Sequence, residues 1–280
     1  EHTSRGLGDV YKRQYICYLS IFYRCLFMNS LKLEALSNFP LINPGDDLSE
    51  IIYKTLISNK SIINNNDVIV IAQKIVSKAE NRYLDLDNIP ISKKAKDLAN
   101  ELSKSPSLVQ AILNESKEII STKKNVIIVE HKLGYINVNA GIDLSNIPKK
   151  KNLALLLPKN PKKSAKKIQE KLKKKLNKDI SIIISDSMTR PYRAGVINFA
   201  LASYNLQSLK DLKGYKDIYD EPLKGTEVAF ADELAAAAGL LMGQSNEMKP
   251  IVIIKGLNKK RDETNNAFDL IVDKNEDLYR

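Results

Sequence analysis

An α+β fold is what this sequence predicts, and three observations predict it. Short apolar runs at residues 67–71, 126–130, 180–184 and 250–255 read as buried strands. Between them lie segments whose apolar residues recur at helical spacing, notably 162–176 and 226–242. A turn between 126–130 and 135–138 suggests a hairpin. At 280 residues the chain can bury a substantial core, in one large or two small domains.

Taken in order, residues 41–47 form a turn, and Asp47 with Glu50 makes a capping-box pattern that opens a helix through Ile51, Ile52 and Leu56. The run at 67–71 leads into 72–78, read as a polar turn or second strand with Lys74 and Lys78 placed for anions. Helices are expected over 92–102 and 107–120, the latter on the spacing of Leu108, Ile112 and Ile119. The strand at 180–184 is followed by a loop through Arg190, Pro191, Tyr192, Arg193 and Gly195. A helix then spans 226–242, capped by Thr226 and stopped by Gly243. It is apolar nearly all round yet contains Asp232 and Glu233, and charges in a buried helix need partners, for which Arg190 and Arg193 are candidates.

The charge balance, 44 Lys plus Arg against 33 Asp plus Glu, gives +11, much of it from residues 159–178. There Ala165, Ile168, Leu172 and Leu176 share one helical face and the lysines mostly occupy the other. A solvated helix covering a sheet is the preferred reading over a surface that tracks nucleic-acid phosphates. No aromatic residue interleaves these lysines, so bases have no stacking platform. Residues 1–14 are polar and unpatterned, whereas 15–27 are mainly apolar, hold Cys17 and Cys25, and are too short for a membrane span. The string from Gly6 to Gln14 resembles translated adapter sequence, so residues 1–27 are expected to be a non-native extension and residues 28–280 the working domain. Cysteine chemistry and disulfides are then excluded together, and a cytoplasmic protein is expected, with no membrane or nucleic-acid partner.

Two segments carry chemistry. One is Asn137-Val-Asn-Ala-Gly-Ile-Asp-Leu-Ser-Asn146, a Gly-containing polar turn presenting Asp143, Ser145 and Asn146; the other is Ser185-Asp-Ser187 at the carboxyl end of an apolar strand, where α/β sheets expose ligand-binding groups. Two carboxylates and several neutral oxygens converging there would suit a hard divalent cation. Asp143 as a turn residue and Asp186 as a helix cap are equally open on local sequence. With only His2 and His131, histidine-based hydrolysis or zinc chemistry has little to rest on, and His131 reads as a turn residue near Gly134. Neither common phosphate-binding glycine motif occurs. Metal-assisted phosphoryl transfer remains, since it needs mainly positioning and charge neutralisation.

These segments, in order, resemble the F420-0:L-glutamate (γ-glutamyl) ligase family. The likeness covers Phe39-Pro-Leu-Ile42, Pro44-Gly-Asp-Asp-Leu48, Gln73-Lys-Ile-Val-Ser-Lys-Ala-Glu80 with Arg82, Asn139 to Asn146, Leu155-Leu-Leu-Pro158, Ser185-Asp-Ser187, Arg190 to Gly195, Ala231-Asp-Glu-Leu-Ala-Ala236 and Leu241-Met-Gly-Gln244. The resemblance implies a two-subdomain fold in an intertwined homodimer. It implies a ligase that uses GTP, two Mg²⁺ or Mn²⁺ ions and K⁺ to join L-glutamate to coenzyme F420-0 through an acyl phosphate, with preference for GTP over ATP. Asp143 and Asp186 would hold one metal, and Ser187 and Gln244 the second. GTP contacts would fall on Phe39, Pro40, Leu41, Ile42, Gln73, Lys74, Lys78, Asn146, Met242, Gly243, Gln244, Ser245, Asn246, Glu247, Met248 and Lys249. The family commonly carries glycine where this chain has Thr189, Ala202, Asn205 and Asp220, of which Asn and Asp best tolerate positive φ. The competing readings are a basic RNA-binding protein and a metal-dependent kinase or NTP hydrolase.

Overall fold

The computed structural model describes residues 30–148, 151–257 and 266–278. The extension at 1–27 with its two cysteines, and hence that domain boundary, lies outside the described residues. In chain order the elements are β1 (Lys32–Ala35), α1 (Leu48–Ser58), β2 (Val68–Ala72), α2 (Gln73–Ala79), β3 (Tyr83–Asp85), α3 (Lys93–Leu102), α4 (Pro106–Glu115), β4 (Ser116–Lys123), β5 (Val126–His131) and β6 (Ile136–Val138). There follow β7 (Leu153–Leu155), α5 (Pro161–Leu176), β8 (Ser181–Arg190), β9 (Arg193–Tyr204), β10 (Leu209–Asp211), β11 (Glu227–Ala229), α6 (Phe230–Met242) and β12 (Ile251–Lys255).

A five-stranded sheet in the order β1-β12-β2-β8-β9 is the centre of the molecule. Its inner strands are apolar on both faces because both faces are covered. Ile69, Ile71, Ile182, Ile184, Ile251 and Ile253 point to the side packed by α1 and α5, while Val68, Val70, Ile183, Val252 and Ile254 point to the side packed by α6. A separate apolar cluster joins Leu102, Leu108, Ile112, Ile127, Val129 and Ala154 from α3, α4, β5 and β7. The mixed α+β architecture matches the expectation.

Helix α1 forms with Asp47 as its cap, Oδ1 accepting from the Ser49 and Glu50 amides. The reciprocal half of the box does not form, because Glu50 pairs with Lys175 at 2.7 Å instead. The apolar face expected of the lysine-rich segment is the face α5 buries, with Ala165, Ile168 and Leu172 inside. Lys171 and Lys173 reach Asp47 and Asp179 at 2.6 and 2.9 Å.

Several expectations need correction. Residues 73–79 are a helix, not a turn or strand, since Ile75, Val76 and Ala79 all turn into the main core. The helix expected over 107–120 ends at Glu115; Ile119 belongs to β4, opposite Val129 of β5, and tertiary pairing has overridden its helical spacing. Helix α6 starts at Phe230 rather than at a Thr226 cap, because residues 227–229 pair with β10. Residues 190–195 are not an extended loop: β8 and β9 run on into a long hairpin that turns between Arg190 and Arg193. Strand β1 carried no clear signal, its four residues alternating weakly at a sheet edge.

Nor do Arg190 and Arg193 pair with the acidic residues of α6. Asp232 accepts the Ala200 amide at 2.8 Å, and burial raises its carboxyl above the usual range; Glu233 is exposed. His131, expected as a turn residue near Gly134, is instead the last residue of β5, buried, with its carbonyl accepting from the Gly134 amide across the turn that follows. Its Nδ1 accepts the Leu133 amide at 2.9 Å, and its Nε2 lies 3.7 Å from Glu115. That imidazole, then the Arg82 guanidinium 3.0 Å away, holds the Glu115 carboxyl below the usual range. Arg82 also donates through Nε to the Leu157 carbonyl at 2.8 Å, so one side chain ties α4 to the segment after β7. Arg82→Ala, which removes both the ion pair with half-buried Glu115 and the donor to the Leu157 carbonyl, should lower unfolding free energy by about 2–4 kcal/mol in urea melts; a loss near zero would contradict this role.

Candidate active site

The parallel pairing of β2 with β8 sets the register Val68 to Ser181 through Ala72 to Ser185. The residues that follow, Gln73 and Lys74 on one chain segment and Asp186 and Ser187 on the other, therefore emerge from the β2–β8 ladder side by side. Sequence reasoning placed Asp186 at a strand end. Instead β8 continues to Arg190, with a register irregularity between Ile184 and Ser185 that marks where the strand leaves the core.

Asp143 arrives from elsewhere. Asn139, Ala140 and Gly141 all have positive φ (53°, 55° and 65°), a left-handed turn that redirects the chain after β6. Only the glycine fits its place freely, since a Cβ there would meet Leu157 at 3.0 Å. Asp143 then exchanges backbone hydrogen bonds with Leu155, both 2.9 Å. Its Oδ1 accepts from the Ser145 amide and hydroxyl at 2.8 Å, the Asx-turn geometry foreseen as one option, while Oδ2 takes the Lys74 ammonium at 2.7 Å. Turn residue and charged site are thus the same residue.

Around these groups opens a cleft of about 710 Å³. Every residue that the family resemblance implied for nucleotide contact lines it: residues 39–42, Gln73, Lys74, Lys78, Asn146 and residues 242–249. Asp186, Ser187 and Gln244 line it too, and Asp143 is joined to it through Lys74. Among the lining residues that sequence reasoning missed are Tyr83, Ile147, Pro148 and Asn198. For Asn198 a signal existed, a lone amide within the apolar run of β9; the other three gave none.

Hydrogen bonds stitch the rim together. Asn146, at positive φ, donates to the Ser245 carbonyl at 3.0 Å and its own carbonyl accepts from Lys78 at 2.7 Å. The loop after α6 begins at Gly243, whose φ of 70° ends the helix, and Glu247 folds back to accept the Ser245 amide at 2.8 Å. Backbone amides in this loop hold the Glu247 carboxyl below the usual range. On the other wall Ser77 donates to Gln73 Oε1 at 2.9 Å, which turns the Gln73 amide nitrogen toward Asp186.

The electrostatics are uneven. Burial, opposed by the Ser187 amide, and then the charge of Asp143 push the Asp186 carboxyl up to about 7. Burial lowers the Lys78 ammonium, and neighbouring Lys74 lowers it further. Two ammonium groups beside two carboxylates and the neutral oxygens of Ser187 and Gln244 can receive an anion and a hard cation together. No group of three or more His, Cys, Asp or Glu side chains that could hold a metal occurs among the described residues. The oxygen set fits a cation nonetheless, because a divalent charge would relieve the repulsion that raises Asp186.

Of the positions where glycine was expected, Asn205 and Asp220 have φ of 60° and 65°, the conformation those residue types tolerate. Thr189 and Ala202 lie in extended strands, and neither lines the cleft.

Fold and cleft define an α+β protein with a cleft lined by both ammonium and carboxylate groups at the carboxyl edge of a mixed sheet. Residues 37–256 match the family model of F420-0:Gamma-glutamyl ligase. The chain is 42% identical over 226 residues to the Coenzyme F420:L-glutamate ligase of Methanothermobacter thermautotrophicus, covering 81% of this chain and 89% of that one. It is 42% identical over 218 residues to that of Methanocaldococcus jannaschii, covering 78% and 86% respectively. With that of Methanococcus maripaludis the identity is 40% over 253 residues, covering 89% and 98%. The chain belongs to the F420-0:gamma-glutamyl ligase family.

Asp186 gives a test independent of any ligand. Between pH about 4 and 7 the unfolded chain has lost this proton while the folded protein keeps it, so stability falls as pH rises across that window. Asp186→Asn, which can still accept the Ser187 amide, removes that dependence. In the presence of chelator it should match the parent at pH 4 and exceed it by about 1–3 kcal/mol at pH 8, measured by urea unfolding. A constant difference across pH would contradict a raised Asp186.

Proposed function

We propose that the protein is a GTP-dependent ligase that joins the amine of L-glutamate to the terminal carboxylate of coenzyme F420-0, with further γ-linked additions open to it. The observation that carries this is the cleft itself, in which Lys74, Lys78, Asp186, Ser187 and Gln244 face one space, with Asp143 held at its edge by Lys74. The named activity of the relatives supports the substrates.

An unactivated carboxylate is a poor acylating agent. In this reading a carboxylate oxygen of the acceptor attacks the γ-phosphorus of GTP, the bond to the β,γ-bridging oxygen breaks and GDP leaves. The glutamate nitrogen then attacks the acyl carbon, the carbon–oxygen bond to phosphate breaks, and the amine gives up a proton. Lys74 and Lys78 neutralise phosphate oxygens, and the amide-rich loop at 243–249 receives the nucleotide. Asp143 and Asp186 would hold one Mg²⁺ or Mn²⁺, and Ser187 and Gln244 a second; such ions supply charge neutralisation and in-line orientation. K⁺ serves as monovalent cation, and the cytoplasm, where GTP and glutamate are available, is the place of action.

The reaction should be read with GTP, Mn²⁺, K⁺, glutamate and coenzyme F420-0, by mass of the glutamylated product. ATP should support much less turnover. Asp143→Asn and Asp186→Asn should each abolish product, with the double variant no worse than either single one, because losing one ligand already disables a shared ion. Phosphate release without need of glutamate or acceptor would point to an NTP hydrolase instead, and near-normal catalysis in either single variant would sink the shared-metal reading.

We also propose that two copies associate. Val196 and Ile197 on the β8–β9 hairpin, Leu240 on the outer face of α6, and Ile218 and Tyr219 between β10 and β11 are exposed large apolar side chains, Ile218 at 90% and Leu240 at 84%. A second copy laid along the hairpin would cover them. Sedimentation equilibrium should give a dimer, and Leu240→Glu with Ile197→Glu should weaken it; a monomeric parent at micromolar concentration would refute the association.

A further inference from the structure

Asn198 sits in β9 directly opposite Ser187 of β8 and is 7% exposed, so its amide is committed to protein partners. Oδ1 accepts from Gln244 Nε2 at 2.7 Å. Nδ2 faces the Met242 sulfur at 3.7 Å, and the Ser185 hydroxyl approaches the same sulfur at 3.8 Å. The orientation is self-consistent: a thioether can only accept, so the nitrogen of Asn198 belongs on that side and its oxygen toward Gln244. Helix α6 passes close over this amide. A Cβ on Gly239 would come within 2.9 Å of Asn198 Cγ, so the side chain is clamped between strand and helix.

A glutamine amide has one end that donates and one that accepts, and only the oxygen can bind a cation or receive a donor from a ligand. Left free, the two ends of Gln244 exchange by rotation. We propose that Asn198 is a positioning residue that takes the Nε2 end of Gln244 and so presents Oε1 to the cleft, next to Ser187. This rests on the reading of Ser187 and Gln244 as ligands of a second cation. It adds a residue that acts through one of them without touching the cation, and it gives Gly239 a role, since any larger residue would dislodge the amide.

The test is an Mn²⁺ titration of the full chain, followed by the electron paramagnetic resonance signal of free Mn²⁺, with melting temperature recorded for each variant. Asn198→Leu, near the same size but without an acceptor, should weaken one class of Mn²⁺ sites by about 10-fold or more, the scale on which loss of such supporting contacts acts. Asn198→Ala carries the same expectation if the leucine variant fails to fold. Asn198→Asp keeps the accepting oxygen and should bind within about threefold of the parent. In a Gln244→Ala background, Asn198→Leu should cause no further loss, which a general packing defect would not reproduce.

Mn²⁺ binding unchanged in Asn198→Leu while Gln244→Ala weakens it overturns the proposal but leaves the second-cation reading intact. Binding unchanged in Gln244→Ala overturns both. A further loss on adding Asn198→Leu to Gln244→Ala also overturns the proposal, because Asn198 would then act by some route other than Gln244.

Discussion

The parallel ladder between β2 and β8 is the constraint on which the site depends. Its register puts Ala72 beside Ser185 at the last paired position, and from there one segment turns into α2 while the other continues, partly buried, as a two-stranded ribbon with β9. A slip by one residue would exchange inward and outward faces and send Asp186 away from Lys74. Register is secured by burial: Val68 to Ile71 and Ile182 to Ile184 are wholly inaccessible, so any shift would expose a strand built to be covered on both sides. Apolar packing thus fixes the relative positions of charged groups that would not assemble unaided.

Those groups show what that assembly costs. A carboxylate lining the cleft, pressed by burial and by a second carboxylate, is raised to about 7, and the Lys78 ammonium is lowered by burial and then by Lys74. Each is disfavoured in its charged form, and each is retained beside a partner of opposite sign. Such paired, opposed perturbations within one cleft single it out as the candidate site. The same economy recurs in the scaffold, where half-buried Arg82 and Glu115 with buried His131 form a cluster that anchors the segment leading back to Asp143 by way of Leu155.

Much of this was legible in the sequence, for reasons that differ by element. The strands at 68–72, 126–131 and 251–255 were legible because continuous β-branched runs have few other uses, and α5 because lysines and apolar residues segregate over four turns. What escaped were elements defined by partners distant in the chain. Strands β4 and β11 lie where local spacing favours helix, and the pairings that decide them, with β5 and β10, are not encoded locally. The hairpin of β8 and β9 read as a loop because Arg190, Pro191 and Gly195 are turn residues, whereas the turn is short and the strands are long.

The candidate site was legible as a set of motifs and not as a geometry. Composition could offer Asp143 as a turn residue or a ligand; only the structure shows that one oxygen serves the turn and the other meets Lys74. Asn198 stood out as a lone amide in an apolar strand, but its partner Gln244, distant in the chain, is shown only by the structure. The pairing of Asp143 with Asp186 at one cation is the claim that binds fold to chemistry. It is tested most directly by a crystal of the protein grown with Mn²⁺ and a non-hydrolysable GTP analogue, with anomalous diffraction recorded at the manganese edge. The account predicts a peak within ligand distance of both carboxylates, about 2.0–2.3 Å, with the Lys74 ammonium moved onto a phosphate oxygen. A peak that touches neither carboxylate, with Lys74 still on Asp143, would contradict it.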